Sequence, residues 1–390
     1  MRNRFTLIAA LVAVIFTSGN ALASNEVMVN GELRPAYREG EVIVKYKSDA
    51  DRSMRSMVEM YSRVNVVSVH RYTGHFAGLE QLAFDTSKLS VEQLVAELNR
   101  NPNVEYAQPN YMVYAFPAKL AQPKTLAEPC VIPGIPFPPG CEDSGGGTPP
   151  PGNPGEEVPC IIPGIPFPPG CKDGGTPGQP GQPGQPNPPP RNRPAIEPPP
   201  TAVNPPVADP DLAQAWGIAK VSADKAWATQ KGSKNIIVAV IDTGVDYNHP
   251  DLAFNMWRNS TGASSLRTGI NAEGTEITGD VVGWDFVHND NLPYDDNQHG
   301  THCAGSIGAV GGDGKGISGV SQNVSIMAVK FLTGQGSGDT ATAIKAIDYA
   351  VSRGAKILSN SWGGKGDDGS NGALKEAVVR AERAGVLFVA

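Results

Sequence analysis

The chain has 390 residues, which is long enough for two modest domains with buried cores and a linker between them. Its formal net charge is -7 at pH 7. This acidic balance argues against a nucleic-acid-binding protein, which normally carries a basic face.

The first 23 residues have the three parts of a secretory signal peptide. Residues 1–4 are basic, residues 5–16 form a short apolar run, and residues 21–23 read Ala-Leu-Ala. A membrane anchor would need about 20 apolar residues, and this run is shorter. We therefore predict cleavage after Ala23 and a secreted protein, extracellular or periplasmic, that has no membrane contact after cleavage.

Residues 36–116 predict a small α+β domain. Strand-like runs rich in β-branched and aromatic residues alternate with two segments of helical apolar spacing. The resulting order βαββαβ predicts a ferredoxin-like sandwich with helices on one face of the sheet. The elements with assigned bounds are strands at Glu41–Tyr46, Val64–Tyr72 and Val104–Tyr114 and helices around residues 54–61 and 91–98.

Residues 117–210 form a linker that contains most of the chain's 35 prolines. Such a composition favours extended polyproline II geometry and buries no core. Two similar Cys-x10-Cys units lie inside it, and in an oxidising compartment their cysteines are expected to form disulfides. The segment is either a stiff spacer with two small loops or a pair of partner-binding knobs. The four cysteines are Cys130, Cys141, Cys160 and Cys171.

Residues 211–390 predict an α/β domain. Apolar runs typical of buried strands alternate with helical patterns, which indicates a parallel sheet with helices on both faces. In such sheets ligands bind beyond the carboxyl ends of the strands. The strands are expected at Ile236–Ile241, Val324–Phe331, Lys356–Ser359 and Val386–Ala390, and the helices at Thr340–Arg353 and Gly372–Ala384.

Three polar motifs follow these strands. Asp242 ends a buried strand, His299 begins a helix of small residues, and the third motif spans 359–364. An Asp-Thr-Gly triplet also occurs in aspartic proteases, but these are β-rich and lack the histidine motif. A zinc protease would need His-Glu-x-x-His, whereas His299 and His302 have no glutamate between them.

The three motifs together resemble the subtilisin family, in which the catalytic residues follow one another along the chain as Asp, His and Ser. The resemblance covers residues 236–363. Residues 101–110, Asn-Pro-Asn-Val-Glu-Tyr-Ala-Gln-Pro-Asn, resemble the inhibitory I9-type propeptide of the same family. This implies a serine endopeptidase made as a zymogen, with residues 36–116 as the propeptide and 211–390 as the N-terminal portion of the peptidase domain, its sheet incomplete.

The resemblance assigns a role to each matching residue. Asp242 would orient His299, the general base. Two segments would form strands on either side of an extended peptide substrate. The propeptide would act as folding template and intramolecular inhibitor, and the enzyme would be a monomer acting on polypeptides. The substrate-binding residues would be Gly336, Ser337, Gly338, Ser361, Trp362 and Gly363.

The resemblance also implies bound Ca²⁺. Asp285 and Asp290 stand at the spacing of a calcium loop in thermitase-like relatives, although His288 takes the place of another acid. Asp251 matches the carboxylate of a second site, completed by the loop 310–317. Cys303 matches a cysteine of the thermitase and proteinase K branches, and its place on the helix of His299 favours a buried structural thiol over a nucleophile.

Two of the family's catalytic parts are expected beyond Ala390, namely the oxyanion-hole asparagine and the nucleophilic serine. We therefore expect the sequence to be part of a longer protease and the polypeptide as given to be inactive. Propeptide cleavage is expected within 114–119, or later near Pro210. The alternative is a secreted, catalytically inactive binding or inhibitor protein derived from such a protease.

Overall fold

The structure is a computed structural model, and the part of the chain that it describes excludes the predicted signal peptide, the four linker cysteines and most of the helix expected at 54–61. The described residues are 25–29, 32–48, 61, 64–72, 77–116, 193–202, 206–259, 266–267, 276–277, 279–365 and 370–390.

The N-terminal region, the described residues from 25 to 116, contains an antiparallel sheet and one described helix. Strand β3 lies between β6 and β5, and β4 follows β5, so that the order β6-β3-β5-β4 matches the predicted ferredoxin-like arrangement. The pairing of β1 with β2 was not predicted. The elements are β1 Glu26–Val29, β2 Glu32–Pro35, β3 Tyr37–Tyr46, β4 Val66–Arg71, β5 Leu79–Phe84, α1 Val91–Leu98 and β6 Val104–Ala115.

Helix α1 covers one face of this sheet. It begins with a capping box, in which the Ser90 hydroxyl accepts from the backbone N–H of Gln93 while the Gln93 side chain accepts from the Ser90 backbone. Its apolar stripe, represented by Leu94 and Leu98, is buried against inward-facing strand residues such as Val42. Burial of this stripe is what holds the helix on the sheet.

The C-terminal region, the described residues from 193 to 390, alternates strands with helices as the sequence predicted. Its elements are α2 Trp216–Lys220, α3 Ala223–Ala226, β7 Gly232–Asp242, β8 Leu266–Arg267, β9 Glu276–Ile277, β10 Gly283–Asp285, α4 His299–Gly308, β11 Asn323–Lys330, β12 Ser337–Asp339, α5 Thr340–Ser352, β13 Ile357–Ser359, β14 Trp362–Gly364, α6 Gly372–Arg383 and β15 Leu387–Val389, with a short 3₁₀ turn at Leu212–Gln214.

Five of these strands form a parallel sheet in the order β10-β11-β7-β13-β15. Alternate residues of β7 pack on opposite faces. Ala239 and Ile241 share a core with α5 and α6, whereas Val238 and Val240 share one with Ala304 of α4. The predicted fold class, a parallel sheet with helices on both faces after a small α+β domain, is confirmed. Among the described residues, no helix is both long and apolar enough to cross a membrane.

Candidate active site

Asp242 and His299 meet at the carboxyl edge of the parallel sheet. Asp242 is the last residue of the central strand β7, and His299 is the first residue of α4. The imidazole Nδ1 lies 2.7 Å from Asp242 Oδ1, which also accepts the backbone N–H of Thr243 at 2.6 Å. The carboxylate is 1% exposed and the imidazole 9%. A buried carboxylate therefore orients a nearly buried histidine.

The start of α4 approaches the end of β7 so closely that only glycine fits there. A Cβ atom on Gly300 would lie 2.0 Å from the carbonyl oxygen of Gly244 and 3.2 Å from Asp242 Cβ. The Gly300 backbone N–H donates to Thr243 Oγ1 at 2.9 Å. The small residues of the histidine motif thus let the helix bring its first side chain to Asp242.

The buried carboxylate of Asp295 ties this helix start to the loop after β7. Its Oδ1 accepts the Thr243 hydroxyl at 2.8 Å, and its Oδ2 accepts both the backbone N–H and the hydroxyl of Thr301, at 2.8 and 2.7 Å. Oδ1 also accepts the backbone N–H groups of Asn297 and Gln298. A carboxylate at a helix N-terminus satisfies N–H groups that have no partner within the helix.

The hydrogen bond to Asp242 raises the pKa of His299 from an ordinary 6.5 to about 10, with a smaller contribution from Cys303. Burial acts in the opposite direction, because it disfavours the charged ring. The contact with Asp242 therefore stabilises the imidazolium relative to the neutral ring. Such stabilisation of the imidazolium is what a histidine needs while it holds a proton during acyl transfer.

Cys303 lies one turn along α4 from His299, with its Sγ 4.0 Å from Nδ1. It therefore contacts the ring nitrogen that Asp242 already engages. The ligand atoms of Asp242, His299 and Cys303 lie within 4.8 Å of one another. Cys303 is only partly buried, so the expected burial of this thiol is not met, and its contact with the ring adds to the raised pKa of His299.

The predicted substrate-binding segments lie on either side of the C-terminal end of β6. Strand β12, which includes Ser337 and Gly338, pairs antiparallel with β6 on one side, and β14, which includes Trp362 and Gly363, pairs antiparallel on the other. The chain therefore places one of its own segments as a central strand between the two segments that were predicted to hold a substrate.

Two backbone hydrogen bonds extend this pairing to the end of the inserted segment. The N–H of Ala115 donates to the Gly336 carbonyl at 2.8 Å, and the N–H of Phe116 donates to the Ser361 carbonyl at 3.0 Å. The space is tight, since a Cβ atom on Gly364 would lie 2.3 Å from the Met112 carbonyl oxygen. All six predicted substrate-binding residues thus line the cleft that holds residues 112–116.

Strand β6 also satisfies the starts of two helices of the C-terminal region. Asn110 Oδ1 accepts the backbone N–H of Ala341 in α5 at 3.1 Å, and Gln108 Oε1 accepts that of Ala373 in α6 at 3.0 Å. Both side chains are buried, at 0% and 4% exposure. The N-terminal region therefore supplies acceptors that these helix ends would otherwise find in water.

The acids Asp285 and Asp290, predicted to bind calcium, instead hold a guanidinium. Arg193 NH1 lies 3.1 Å from Asp285 Oδ2, and Arg193 makes two hydrogen bonds to Asp290, at 2.8 and 2.5 Å. His288 Nδ1 is 2.7 Å from Asp285 Oδ2. Burial alone would raise the pKa of Asp290, but the hydrogen bonds from Arg193 hold it below its usual value. With their oxygens engaged, these residues do not fit calcium.

Asp251, unlike Asp285 and Asp290, has a carboxylate oxygen that remains available for a cation. Its Oδ2 accepts the backbone N–H of Ile317 at 3.0 Å, but its buried Oδ1 has no hydrogen-bond partner. Burial, together with the nearby carboxylates of Asp313 and Asp209, raises the pKa of Asp251 to about 7. An unpartnered buried carboxylate oxygen beside like charges fits a cation.

A known family model matches each of the two regions, the N-terminal and the C-terminal. Residues 233–390 match the model of the subtilase family, and residues 23–110 match that of the fervidolysin N-terminal prodomain. Residues 233–390 are a subtilase domain. The part of the chain before it carries a fervidolysin-type prodomain, and both assignments agree with the resemblance seen in the sequence.

Curated relatives of the subtilase domain are peptidases. Thermitase from Thermoactinomyces vulgaris is 38% identical over 175 residues, which cover 45% of this chain and 53% of thermitase. The thermophilic serine proteinase of Bacillus sp. (strain AK1) is 37% identical over 175 residues, covering 45% of this chain and 37% of that protein. The chain thus spans about half, or less, of these relatives. These matches do not favour the inactive-protein alternative.

A solved structure is also similar. The crystal structure of fervidolysin from Fervidobacterium pennivorans, described as a keratinolytic enzyme related to subtilisin, matches 92% of this chain and 40% of that chain. The sequence identity is 20% and the TM-score is 0.46.

Four residues that contribute to the site were not predicted. Asp295, Gln108 and Asn110 each have a partner that is distant in sequence, namely Thr243, Ala373 and Ala341 in that order. Arg193 lies in what was assigned to the proline-rich linker, 92 residues from Asp285. Asn110 and Gln108 belong to the propeptide-like motif, so their positions carried a signal even though their partners did not.

We expect Asp242→Asn to lower the pKa of His299 from about 10 towards 6.5, because the largest cause of the raised value is the hydrogen bond to Asp242. His299 is more basic when folded. Its contribution to stability is therefore fully present below about pH 6.5 and is lost as pH rises through about 10. Histidine NMR titration of the chain and the variant measures this, and an unchanged pKa in the variant would contradict the assignment.

We expect Asp295→Ala to reduce the free energy of unfolding by about 2–4 kcal/mol, because it leaves the Thr243 and Thr301 groups without their acceptor. Denaturant unfolding of the chain provides the measurement. Asp224→Ala, at an exposed position, is the matched control and should change stability by less than about 0.5 kcal/mol. Equal effects of the two substitutions would refute a structural role for Asp295.

Proposed function

We propose that this chain belongs to a secreted subtilisin-like serine endopeptidase made as a zymogen, in which Asp242 and His299 are two members of an Asp-His-Ser triad. The observation that carries the proposal is the buried Asp242–His299 hydrogen bond of 2.7 Å beside a cleft that holds an extended peptide segment. The family assignment and the signal-like first 23 residues support it.

The proposed chemistry divides between the two residues and a serine. Asp242 keeps Nδ1 of His299 protonated and directed towards itself, which leaves Nε2 as the base. Nε2 takes the proton of the serine hydroxyl as the oxygen attacks the peptide carbonyl, and later gives it to the leaving amine. Among the described residues no serine hydroxyl is hydrogen-bonded to His299, so the proposed nucleophile is not one of them.

Substrates would bind as residues 112–116 do. A polypeptide added between β12 and β14 forms main-chain hydrogen bonds on both sides, so that affinity comes from the backbone and preference from side-chain pockets. Phe116, whose N–H reaches the Ser361 carbonyl, would then occupy the position beside the scissile bond. Its side chain is 49% exposed.

The prodomain would inhibit and template the enzyme through the same strand. Its end fills the cleft, while Gln108 and Asn110 cap α6 and α5. Capping stabilises helix starts by about 1 kcal/mol each, so the prodomain favours the folded arrangement as well as excluding substrate. Propeptide cleavage within 114–119 would free the cleft.

We also propose one calcium ion at Asp251. The unpartnered Oδ1 and oxygens of the loop 310–317 would hold it. Calcium there would supply structural charge compensation rather than take part in the reaction.

The natural gene product, secreted from its host or an expression strain, should hydrolyse casein and react with a fluorophosphonate serine probe. We expect His299→Ala to reduce turnover by roughly a millionfold, as removal of the corresponding residue does in subtilisin itself. Lys220→Ala, at an exposed position, should leave turnover unchanged. Casein hydrolysis that persists in His299→Ala at the wild-type rate would contradict the proposed mechanism.

We expect the first processing event of the secreted protein to fall within residues 114–119, where the chain leaves the cleft. Substitution of Gly364 by Val should weaken binding of the segment, because a Cβ atom there would meet the Met112 carbonyl oxygen. N-terminal sequencing and intact-mass measurement over time detect the cut. A mature protein that begins near Ser24 would show that no prodomain is removed.

A further inference from the structure

One loop of the subtilase domain directs four oxygens at a single guanidinium. Arg193 NH1 lies 3.1 Å from Asp285 Oδ2, 2.8 Å from Asp290 Oδ1 and 3.0 Å from the Leu292 carbonyl, and NH2 lies 2.5 Å from Asp290 Oδ2. The Arg193 side chain is 8% exposed and that of Asp285 is fully buried. The ion pair with Asp285 is therefore buried, whereas the bidentate pair with Asp290, whose side chain is 34% exposed, reaches the surface.

These oxygens are of the kind that a calcium ion would use. Calcium takes six to eight oxygen ligands, from carboxylates and backbone carbonyls. Here a positive group already engages two carboxylates and one carbonyl, and the nearby His288 contacts Asp285 through a ring nitrogen, which is not an oxygen ligand. A calcium ion and the guanidinium would compete for the same atoms and repel each other.

The residues that follow Arg193 are fixed to the same domain one after another. The Tyr247 hydroxyl donates to the Pro194 carbonyl at 2.6 Å, and Asn248 Nδ2 donates to the Ala195 carbonyl at 2.7 Å. The N–H of Glu197 donates to Asn248 Oδ1 at 3.0 Å, and its carbonyl accepts from the Arg258 guanidinium at 2.8 Å. Ile196 lies between these hydrogen-bonded residues in the sequence, and its partly buried side chain packs on the hydrophobic core. We call residues 193–197 the strap.

We propose that Arg193 is the resident cation of the Asp285–Leu292 loop, in the place that the sequence assigned to calcium, and that it fastens the strap to the subtilase domain. The loop that it neutralises continues directly to Asp295 and the start of the His299 helix. A covalently tethered cation cannot be removed by a chelator, so this loop keeps its charge balance without bound metal.

The first experiment counts calcium in the whole chain with its loop intact. Asp251→Asn removes the other proposed site, and the chain is equilibrated with calcium, freed of excess and measured by plasma mass spectrometry. We expect the same calcium content when Asp290→Asn is added, because the loop holds none. A calcium content that falls by one ion per chain on adding Asp290→Asn would overturn the proposal.

The second experiment tests the guanidinium by thermal unfolding in EGTA. Arg193→Ala leaves Asp285 buried without its partner and should lower the Tm by roughly 5–10 °C. Arg193→Lys, which keeps the charge but loses the bidentate geometry, should fall between this variant and the wild type. Arg100→Ala, at an exposed position away from this loop, is the matched control and should leave the Tm nearly unchanged.

Both measurements are independent of peptidase activity, so they stand or fall separately from the proposed reaction. A wild-type Tm that drops in EGTA and recovers with calcium in an Asp290-dependent manner would overturn the proposal. A Tm of Arg193→Ala equal to that of Arg100→Ala would also overturn it. Should Arg193→Ala fail to accumulate as folded protein, the Lys variant and the calcium count still decide the question.

Discussion

The site depends on how closely a helix start can approach a strand end. His299 reaches Asp242 only because Gly300 leaves no side chain between α4 and the turn at Gly244. That approach brings backbone dipoles and N–H groups together, and the buried carboxylate of Asp295 compensates them. His299 is therefore positioned by backbone packing and one internal acceptor, which also explains why the motif consists of small residues.

Two short strands outside the parallel sheet, β12 and β14, pair their backbone groups with the chain's own N-terminal region. Strands β12 and β14 are short and have β6 as their shared partner. Exposed strand edges bind extended peptide readily, which is useful in a cleft for polypeptides and hazardous before the fold is complete. A prodomain strand in the cleft meets both conditions, because it pairs with β12 and β14 and supplies an acceptor to the first turn of α5 and of α6.

Sequence patterns predicted the features that depend on residues close together in the chain, namely the strands and the residues at their ends. The apolar runs gave β7 and β11 to within a few residues, and the polar residues after β7 gave Asp242, since strand ends in parallel sheets are where ligands bind. Contacts without a local signature were not predictable. Arg193 follows a proline-rich stretch and resembles linker, and its role arises from a carboxylate 92 residues away. Calcium was expected at Asp285 and Asp290 because only residues of this loop were considered. The positive charge beside these carboxylates comes instead from Arg193, far away in the sequence.

The two acidic loops show how one domain balances buried negative charge in two ways. At Asp251 like charges and burial raise the pKa and one oxygen has no partner, whereas at Asp290 the pKa is lowered because a guanidinium is present. This difference bears on maturation. A cut near Pro210 would separate the strap with Arg193 from the rest of the chain, and without Arg193 the fully buried Asp285 would keep only His288 and two backbone N–H groups as partners, whereas a cut within 114–119 keeps the strap attached. Because loss of one partner from a buried ion pair is strongly destabilising, the proposed role of the strap favours the earlier cut, after which residues 193–197 would remain with the mature domain.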